Sequence, residues 1–151
     1  MACAKLQEYL DQNRVKYLSV KHSPAFTAQE VAAAAHIPGS AMAKTVMVKL
    51  DGAMAMVVLP APEMVRMGHL KAETGVEEVE LASEQEFKRL FPDCEVGAMP
   101  PFGNLYDIDT FVAESLGANP EIAFNGGTHT EVIKMAYADW EKLVQPKVLR
   151  G

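Results

Sequence analysis

The sequence predicts an α+β fold with a mixed or mostly antiparallel sheet. Two glycine-containing turns, Asp51-Gly52 and Gly126-Gly127, each lie between apolar runs of strand length, a pattern typical of β-hairpins. Two segments of capping-box form, beginning at Thr27 and Ser83, indicate helix starts elsewhere in the chain. Hairpins interspersed with helices favour the α+β class.

Spacing and capping patterns predict the elements before the first hairpin. Leu6, Tyr9 and Leu10 recur at i, i+3 and i+4, as on one face of a helix. Thr27 and Glu30 have the spacing of a capping box. The predicted elements are a helix over 4–13, a strand over 17–21 and a helix over 27–35.

The first hairpin is predicted by Asp51-Gly52, the pair that type I′ turns favour. Its strands cover 45–50 and 53–59. The later predictions are a helix over 63–74 interrupted near Gly68, a strand over 76–81, a helix from Ser83 that ends before Pro92, a helix over 109–116, strands over 121–125 and 128–135 joined by a two-residue Gly126-Gly127 turn, and a helix over 137–144.

The composition is that of a globular protein with one core. The chain has 151 residues, of which 49% are hydrophobic and 23% charged, so we expect a single domain spanning residues 1–151. The net charge of −6 argues against DNA as a partner and against nucleic acid bound over the whole surface. It permits contact with one end of a nucleic acid.

The sequence predicts no membrane segment, secretory signal or metal site. The longest apolar run, residues 53–61, is too short to span a bilayer as a helix, and no long apolar stretch follows the N-terminus. The two cysteines, Cys3 and Cys94, do not form a disulfide framework or a ligand pair. We therefore expect a cytoplasmic protein without a cofactor.

Lys44 stands at the start of the first hairpin strand. Because alternate strand residues share a face, Lys44 shares its face with Val46, Val48 and Leu50. One interpretation is a partly desolvated ammonium group at the mouth of a cleft, able to hold a carbonyl or phosphate oxygen. The other is that the strand begins after Lys44 and that its side chain is solvated.

Residues 95–104, EVGAMPPFGN, are stiff and carry no charge after Glu95. Gly97 can adopt backbone angles closed to other residues, and Pro100 and Pro101 fix their own φ angles. The main-chain groups of such a segment could serve as preorganised donors and acceptors for a ligand. Alternatively, the segment is a rigid connector after a helix.

His129 follows the second glycine turn. A two-residue turn would pair Phe124 with His129 and place His129 on an apolar face with Ile122 and Ile133. A histidine at such a position is either a core residue or a pocket residue.

Three segments in order carry a family resemblance: AKTVMVKLDG with MVVLPA, then GAMPPFG, then FNGGTHTEVIKM. Together they resemble the YbaK/ProX family, the prolyl-tRNA-synthetase-associated editing domains, and the similarity extends from KHSPAFTAQE to DWEKLV. The resemblance implies a curved sheet flanked by helices. It also implies an aminoacyl-tRNA deacylase that acts in trans on the ester joining a wrong amino acid to its tRNA.

The resemblance also implies site residues, because the family's lysine corresponds to Lys44 and its G-x-x-x-P loop to residues 97–101. The catalytic residues implied are Lys44, Gly97, Ala98, Met99 and Pro101. The substrate-binding residues expected are Phe26, Thr45, Pro100, Asn125, Gly126, Gly127, Thr128 and His129, of which Phe26 is a candidate wall of the pocket. A local basic rim is expected from Lys21, Lys44, Arg66, Lys71 and Lys134. Two departures from the family pattern are Asp107, where many relatives have glycine, and Gly126-Gly127, where an alanine–glycine pair is commoner.

The partners implied are the acceptor end of aminoacyl-tRNA and an aminoacyl-tRNA synthetase. An alternative function is a non-catalytic module that binds aminoacyl-tRNA ends or an aminoacyl-adenylate in the same cleft. A structural partner protein and a metal hydrolase are further alternatives, although the sequence supplies no metal-ligand set for the latter.

Overall fold

The structure is a computed structural model that describes residues 4–25, 27–95 and 97–150. Within these ranges the chain forms eight strands and five α-helices. The strands are β1 (Tyr17–Lys21), β2 (Ala43–Leu50), β3 (Ala53–Pro60), β4 (Val79–Leu81), β5 (Asp109–Ala113), β6 (Glu121–Asn125), β7 (Glu131–Ala136) and β8 (Lys147–Leu149). The helices are α1 (Ala4–Gln12), α2 (Ala28–Ala34), α3 (Met67–Thr74), α4 (Glu84–Phe87) and α5 (Tyr137–Val144).

The strands form a three-stranded and a five-stranded sheet. The first has the order β1-β7-β6 and is antiparallel. The second has the order β4-β2-β3-β5-β8, with antiparallel pairing from β4 to β3 and parallel pairing from β3 to β8. A parallel bridge between Met42 and Ala123 links the two sheets. The predicted α+β class with a mixed sheet is therefore confirmed.

One large core covers the inner faces of both sheets. Met47 and Val112 from the larger sheet pack in the same cluster as Phe124 from the smaller one. Leu6 of α1 and Trp140 of α5 are fully buried in this cluster. The two helices and the two sheets therefore bury their apolar faces together.

Each sheet also carries a smaller cluster on its outer face. Val31 of α2 packs with Ala123 and Val132 on the three-stranded sheet. Leu70 of α3 packs with Val57 and other strand residues on the five-stranded sheet. These helices cover only part of the outer faces, and the candidate site lies beside α2.

Local signals predicted several elements correctly. Both capping boxes are present, with Thr27 accepting from the N–H of Glu30 and Ser83 from that of Glu86. The turn at Asp51 has positive φ, as a type I′ turn requires. Helices over 4–12, 28–34 and 137–144 and the strand over 17–21 also lie where they were predicted.

The predicted helix over 109–116 is wrong. Residues Asp109–Ala113 form β5, and Glu114–Ala118 form a short 3-10 helix. β5 lies between β3 and β8 and pairs in parallel with both. Tertiary pairing overrides a weak local helical pattern, because Phe111 and Val112 become buried on opposite faces of the sheet. No element was predicted over residues 147–149, which form β8, the other partner of β5.

The predicted two-residue turn at Gly126-Gly127 is also wrong. Asn125 pairs with Val132, and β7 begins at Glu131, so a five-residue loop over 126–130 joins the strands. His129 therefore lies in the loop and not on a core-facing strand position. Two smaller differences are that α3 begins at Met67 instead of 63 and β4 at Val79 instead of 76.

Two sequence predictions fall on residues outside the described ranges: Phe26, expected to bind substrate, and Cys3. Among the helices that the structure describes, none has both the length and the apolar composition needed to cross a membrane.

Candidate functional site

Lys44 lies within β2 and is half-buried, which excludes the alternative that it precedes the strand in solvent. Its cross-strand partner is Leu59, a residue of the outer-face cluster. Lys44 lines a hollow of about 390 Å³ between the start of α2 and the segment after β3. The hollow is lined by Thr27, Ala28, Gln29, Lys44, Ala61, Pro62 and Met64.

The electrostatic environment weakens the hold of Lys44 on its proton. Burial lowers the pKa of the Lys44 ammonium group, and the nearby carboxylate of Glu63 partly opposes this by raising it. Within the described ranges no carboxylate lies within 4.0 Å of the Lys44 nitrogen. A partly desolvated ammonium group that is not neutralised by an ion pair is suited to bind an anionic or carbonyl oxygen.

Burial explains why the residues after Glu95 carry no charge. Residues 98–103 are all buried, with Met99 and Phe102 in the large core. Trp140 Nε1 donates to the main-chain oxygen of Pro101 at 2.9 Å. Gly97, in contrast, is exposed. Of the five residues of the G-x-x-x-P loop, only Gly97 therefore presents its backbone at the surface.

Gly97 is held in a conformation that other residues rarely adopt. Its φ is +87°, and a Cβ atom at this position would lie 3.4 Å from Nε2 of His129. Its N–H donates to Sδ of Met99 at 3.2 Å. The N–H of Ala98 donates to the main-chain oxygen of Glu95. The expectation of unengaged donors is thus not met at Ala98, whereas at Gly97 the acceptor is a thioether, which accepts weakly.

Glu95 fastens the 126–130 loop to the G-x-x-x-P loop. Its carboxylate Oε1 accepts from the main-chain N–H of His129 at 2.6 Å and lies 3.2 Å from His129 Nδ1. Its own N–H donates to the oxygen of Gly127 at 2.7 Å. These contacts fix the imidazole with Nδ1 towards Glu95 and Nε2 beside Gly97. His129 is consequently a loop residue of the candidate site and not a core residue.

The segment before α2 connects this loop pair to the Lys44 hollow. Ala25 N–H donates to the oxygen of His129, and His22 N–H donates to that of Thr130. Two residues after Ala25, Thr27 caps α2 and lines the hollow. The same strip of chain therefore contacts the 126–130 loop at one end and the hollow at the other.

The predicted site residues thus fall into two neighbouring groups. Gly97, His129 and the rest of the 126–130 loop form one group, and Lys44 with its hollow forms the other; the hollow's lining in the described chain contains no residue of either loop. Thr45 lies on the opposite face of β2 from Lys44. Met99, Pro100 and Pro101 are buried, whereas Gly97 is exposed.

The predicted basic rim is divided. Lys44 and Arg66 line neighbouring hollows that share Met64. Lys134 pairs with Glu121 at 3.6 Å on the three-stranded sheet. Lys21 is also on that sheet, in β1, and Lys71 is in α3.

Sequence reasoning missed two parts of the site. Glu95 received no role, although it is the only charged residue of its segment and that isolation was a usable signal. Thr27 was assigned only to helix capping, because nothing in the sequence indicates that it reaches the Lys44 hollow.

Solved structures share this fold at low sequence identity. A hypothetical protein, APE2540, superimposes with a TM-score of 0.84 at 22% identity, covering 95% of this chain and 96% of its own. A candidate trans-editing enzyme for prolyl tRNA synthetase gives a TM-score of 0.81 at 19% identity, with coverages of 97% and 93%. A candidate signal transduction protein from Marinobacter aquaeolei VT8 gives 0.72 at 15% identity, covering 97% of this chain but 29% of its own.

No curated protein matches the sequence. The model of the family described as the aminoacyl-tRNA editing domain matches residues 22–143. This range contains Lys44, the 97–101 loop and the 126–130 loop, together with all strands except β1 and β8. The chain therefore belongs to the aminoacyl-tRNA editing domain family.

Proposed function

We propose that the protein hydrolyses the ester bond of mischarged aminoacyl-tRNA in trans. The observation that carries the proposal is Lys44, a half-buried ammonium group lining a hollow within the region that matches the editing-domain family. In the reaction, water adds to the ester carbonyl and the bond to the ribose oxygen breaks. The products are a free amino acid and a tRNA with a free terminal hydroxyl group.

Lys44 supplies the positive charge in this proposal. Its ammonium group binds the ester carbonyl or the terminal phosphate and holds the acceptor end in the hollow. An aminoacyl ester is already activated, so positioning of water or of the neighbouring ribose hydroxyl and stabilisation of the developing oxyanion are sufficient. A protein nucleophile is not needed for this chemistry.

Gly97 supplies a main-chain donor. Its N–H is bonded to the weak acceptor Met99 Sδ, and a carbonyl oxygen that carries developing negative charge is a stronger acceptor. Exchange of the sulfur for the substrate oxygen would therefore favour the transition state over the unliganded protein. The Glu95–His129 contacts keep this part of the site rigid before substrate arrives.

The acceptor end of the tRNA is proposed to extend from the Lys44 hollow into the larger neighbouring groove. That groove has a volume of about 470 Å³ and is lined in part by Glu63 and Met64. Met64 also lines the Lys44 hollow, so the two cavities adjoin at this residue. Val57 and Leu59 form part of an apolar floor, and Arg66 lies at the rim. Aliphatic side chains can cover the apolar faces of the terminal bases, while a cation at the rim contacts a phosphate.

A deacylation screen tests the proposal. Purified protein is incubated with tRNAs carrying alanine, serine, cysteine or threonine, beginning with tRNAPro charged with alanine or cysteine. We expect faster loss of the ester than in buffer for at least one substrate. No acceleration for any of them would overturn the proposal, and protection of the ester would instead indicate the non-catalytic binding module.

A further inference from the structure

Asn125 has a buried amide oxygen without a partner. The residue is 8% exposed, and no described residue forms a hydrogen bond with its Oδ1. An amide oxygen has two lone pairs and is normally hydrogen-bonded when buried, because leaving it unsatisfied is costly. An orphaned acceptor at the end of a strand beside a candidate site indicates a position for a ligand donor.

The bridge between the two sheets relates the positions of Asn125 and Lys44. Met42 and Ala123 form the parallel bridge that links the sheets, and both belong to the outer-face cluster under α2. Lys44 and Asn125 each follow their bridge residue by two positions. Because alternate residues share a face, Lys44 lies on the same face of its sheet as Met42, and Asn125 lies on the same face of the other sheet as Ala123.

The position of Asn125 is fixed from two sides. It ends β6 opposite Val132, and the loop that follows it is fastened by Glu95 through Gly127 and His129. The amide oxygen is therefore held in place before any ligand arrives, which lowers the entropic cost of recognition.

The two groups have complementary chemistry for an aminoacyl ester. The ester presents a carbonyl oxygen and, one carbon away, a protonated amine. Lys44 attracts the oxygen and repels the amine, whereas an amide oxygen accepts from an ammonium donor without neutralising Lys44. A carboxylate in place of Asn125 would instead compete for Lys44.

We propose that Asn125 Oδ1 binds the α-ammonium group of the aminoacyl ester and is a specificity-determining residue. This inference rests on the proposed deacylase function. It predicts that the protein acts on aminoacyl-tRNA with a free amino group and spares tRNA whose amino acid is N-acylated, such as peptidyl-tRNA. Acylation removes the positive charge and adds bulk at the atom that Asn125 recognises.

Binding of two stable analogues tests the inference. The probes are 3′-alanylamino-3′-deoxyadenosine, whose amide replaces the ester, and the same compound with an N-acetyl group. We expect the wild-type protein to bind the free amine about tenfold more tightly, since a hydrogen bond to a charged group is involved. Asn125→Leu and Asn125→Ala should bind both probes equally. Asn104→Ala, a change of an exposed asparagine that contacts Tyr9, should keep the preference.

A thermal unfolding experiment provides a readout apart from binding. Asn125→Leu removes the orphaned oxygen while nearly conserving volume, so its Tm should be at least that of the wild type. If the wild type does not distinguish the probes, or binds neither, the inference is overturned. It is also overturned if both variants still prefer the free-amine probe over the N-acetyl probe. If one variant fails to fold, the result for the other variant decides.

Ester hydrolysis, measured separately with alanyl-tRNA and N-acetyl-alanyl-tRNA, distinguishes this inference from the proposed function. Equal hydrolysis of both substrates would overturn the role of Asn125 and leave the deacylase intact. Hydrolysis of neither, together with discrimination between the analogues, would overturn the deacylase and support the role of Asn125.

Discussion

Nε2 of His129 lies where it would contact any side chain placed at residue 97, because a Cβ atom on Gly97 would come within 3.4 Å of it. Glu95 sets this arrangement by holding Nδ1 and the main-chain N–H of the same histidine. Glu95 and His129 therefore hold the 97–101 loop and the 126–130 loop in contact. Substitutions at Gly97 and at Glu95 should have different consequences.

Replacing Gly97 with alanine should lower both stability and activity. Its φ of +87° disfavours an L-residue by about 1 kcal/mol, and the new methyl group crowds His129. We expect deacylation to fall by about tenfold or more through misplacement of the loop, measured under single-turnover conditions. Unchanged hydrolysis would show that the loop is only a connector.

Gly75→Ala is the matched control for that change. Gly75 has a φ of +73° but nothing within 4 Å of an added Cβ atom. The variant should lose a similar amount of stability in urea unfolding and retain full activity. A comparable loss of activity in both variants would indicate a general effect of destabilisation and contradict a specific role for Gly97.

Replacing Glu95 with alanine should loosen the 126–130 loop. The His129 N–H loses its acceptor, and because Glu95 is 55% exposed water replaces much of the bond, so the local cost is about 1 kcal/mol. The His129 amide should exchange with solvent about fivefold faster, measured by NMR. Glu73→Ala removes another exposed glutamate beside a histidine, His69, and should leave this exchange unaltered. Equal exchange in the wild type and Glu95→Ala would contradict the fastening role.

Replacing Asp107 with glycine should not reduce activity. Asp107 has a φ of +55°, which explains why glycine suits this position, and it lines a hollow beside Asn104 and not the one beside Lys44. We expect a gain in stability of up to about 1 kcal/mol. Asp51→Gly has a similar φ but should lose stability, because the Asp51 carboxylate accepts hydrogen bonds from Glu77 and Glu78. A fall in hydrolysis in Asp107→Gly would show that this departure does shape the site.

The pH dependence of hydrolysis should report the Lys44 pKa. Burial lowers that pKa from its ordinary value of 10.5, so the ammonium group loses its proton, and the catalysed rate falls, as pH rises through the lowered value. Glu63→Gln removes a charge that raises the Lys44 pKa, so the falling limb of the pH–rate profile should move to lower pH. Lys44→Arg should move it to higher pH. A limb that is identical in all three proteins would exclude Lys44 as its source.

Local signals in the sequence were sufficient for elements whose cause is local. The capping residues Thr27 and Ser83 and the Asp51-Gly52 turn each act over four residues or fewer, and each was predicted. β5 was predicted as a helix because its strand character comes from β3, about fifty residues earlier in the chain. No local pattern carries that information.

The sequence supplied some candidate site residues but not Glu95, the part played by Thr27, or the geometry that joins them. The resemblance named Lys44, Gly97 and His129 as candidates, and strand parity placed Lys44 on the same face as Val46 and Val48, as the structure has it. The five-residue loop was missed because its shape depends on Glu95, a residue distant in sequence. The lack of charge in residues 98–103 suggested ligand contact, whereas burial explains it directly.

Single-turnover deacylation by Lys44→Met, compared with wild type and Lys49→Met, tests the central claim most directly. Lys49 lies on the same strand but the opposite face, and contacts Glu80 and Glu86 outside the hollow. We predict that Lys44→Met folds normally and loses on the order of 100-fold in rate on the best mischarged tRNA, while Lys49→Met keeps its rate. Wild-type hydrolysis by a folded Lys44→Met protein would contradict the account.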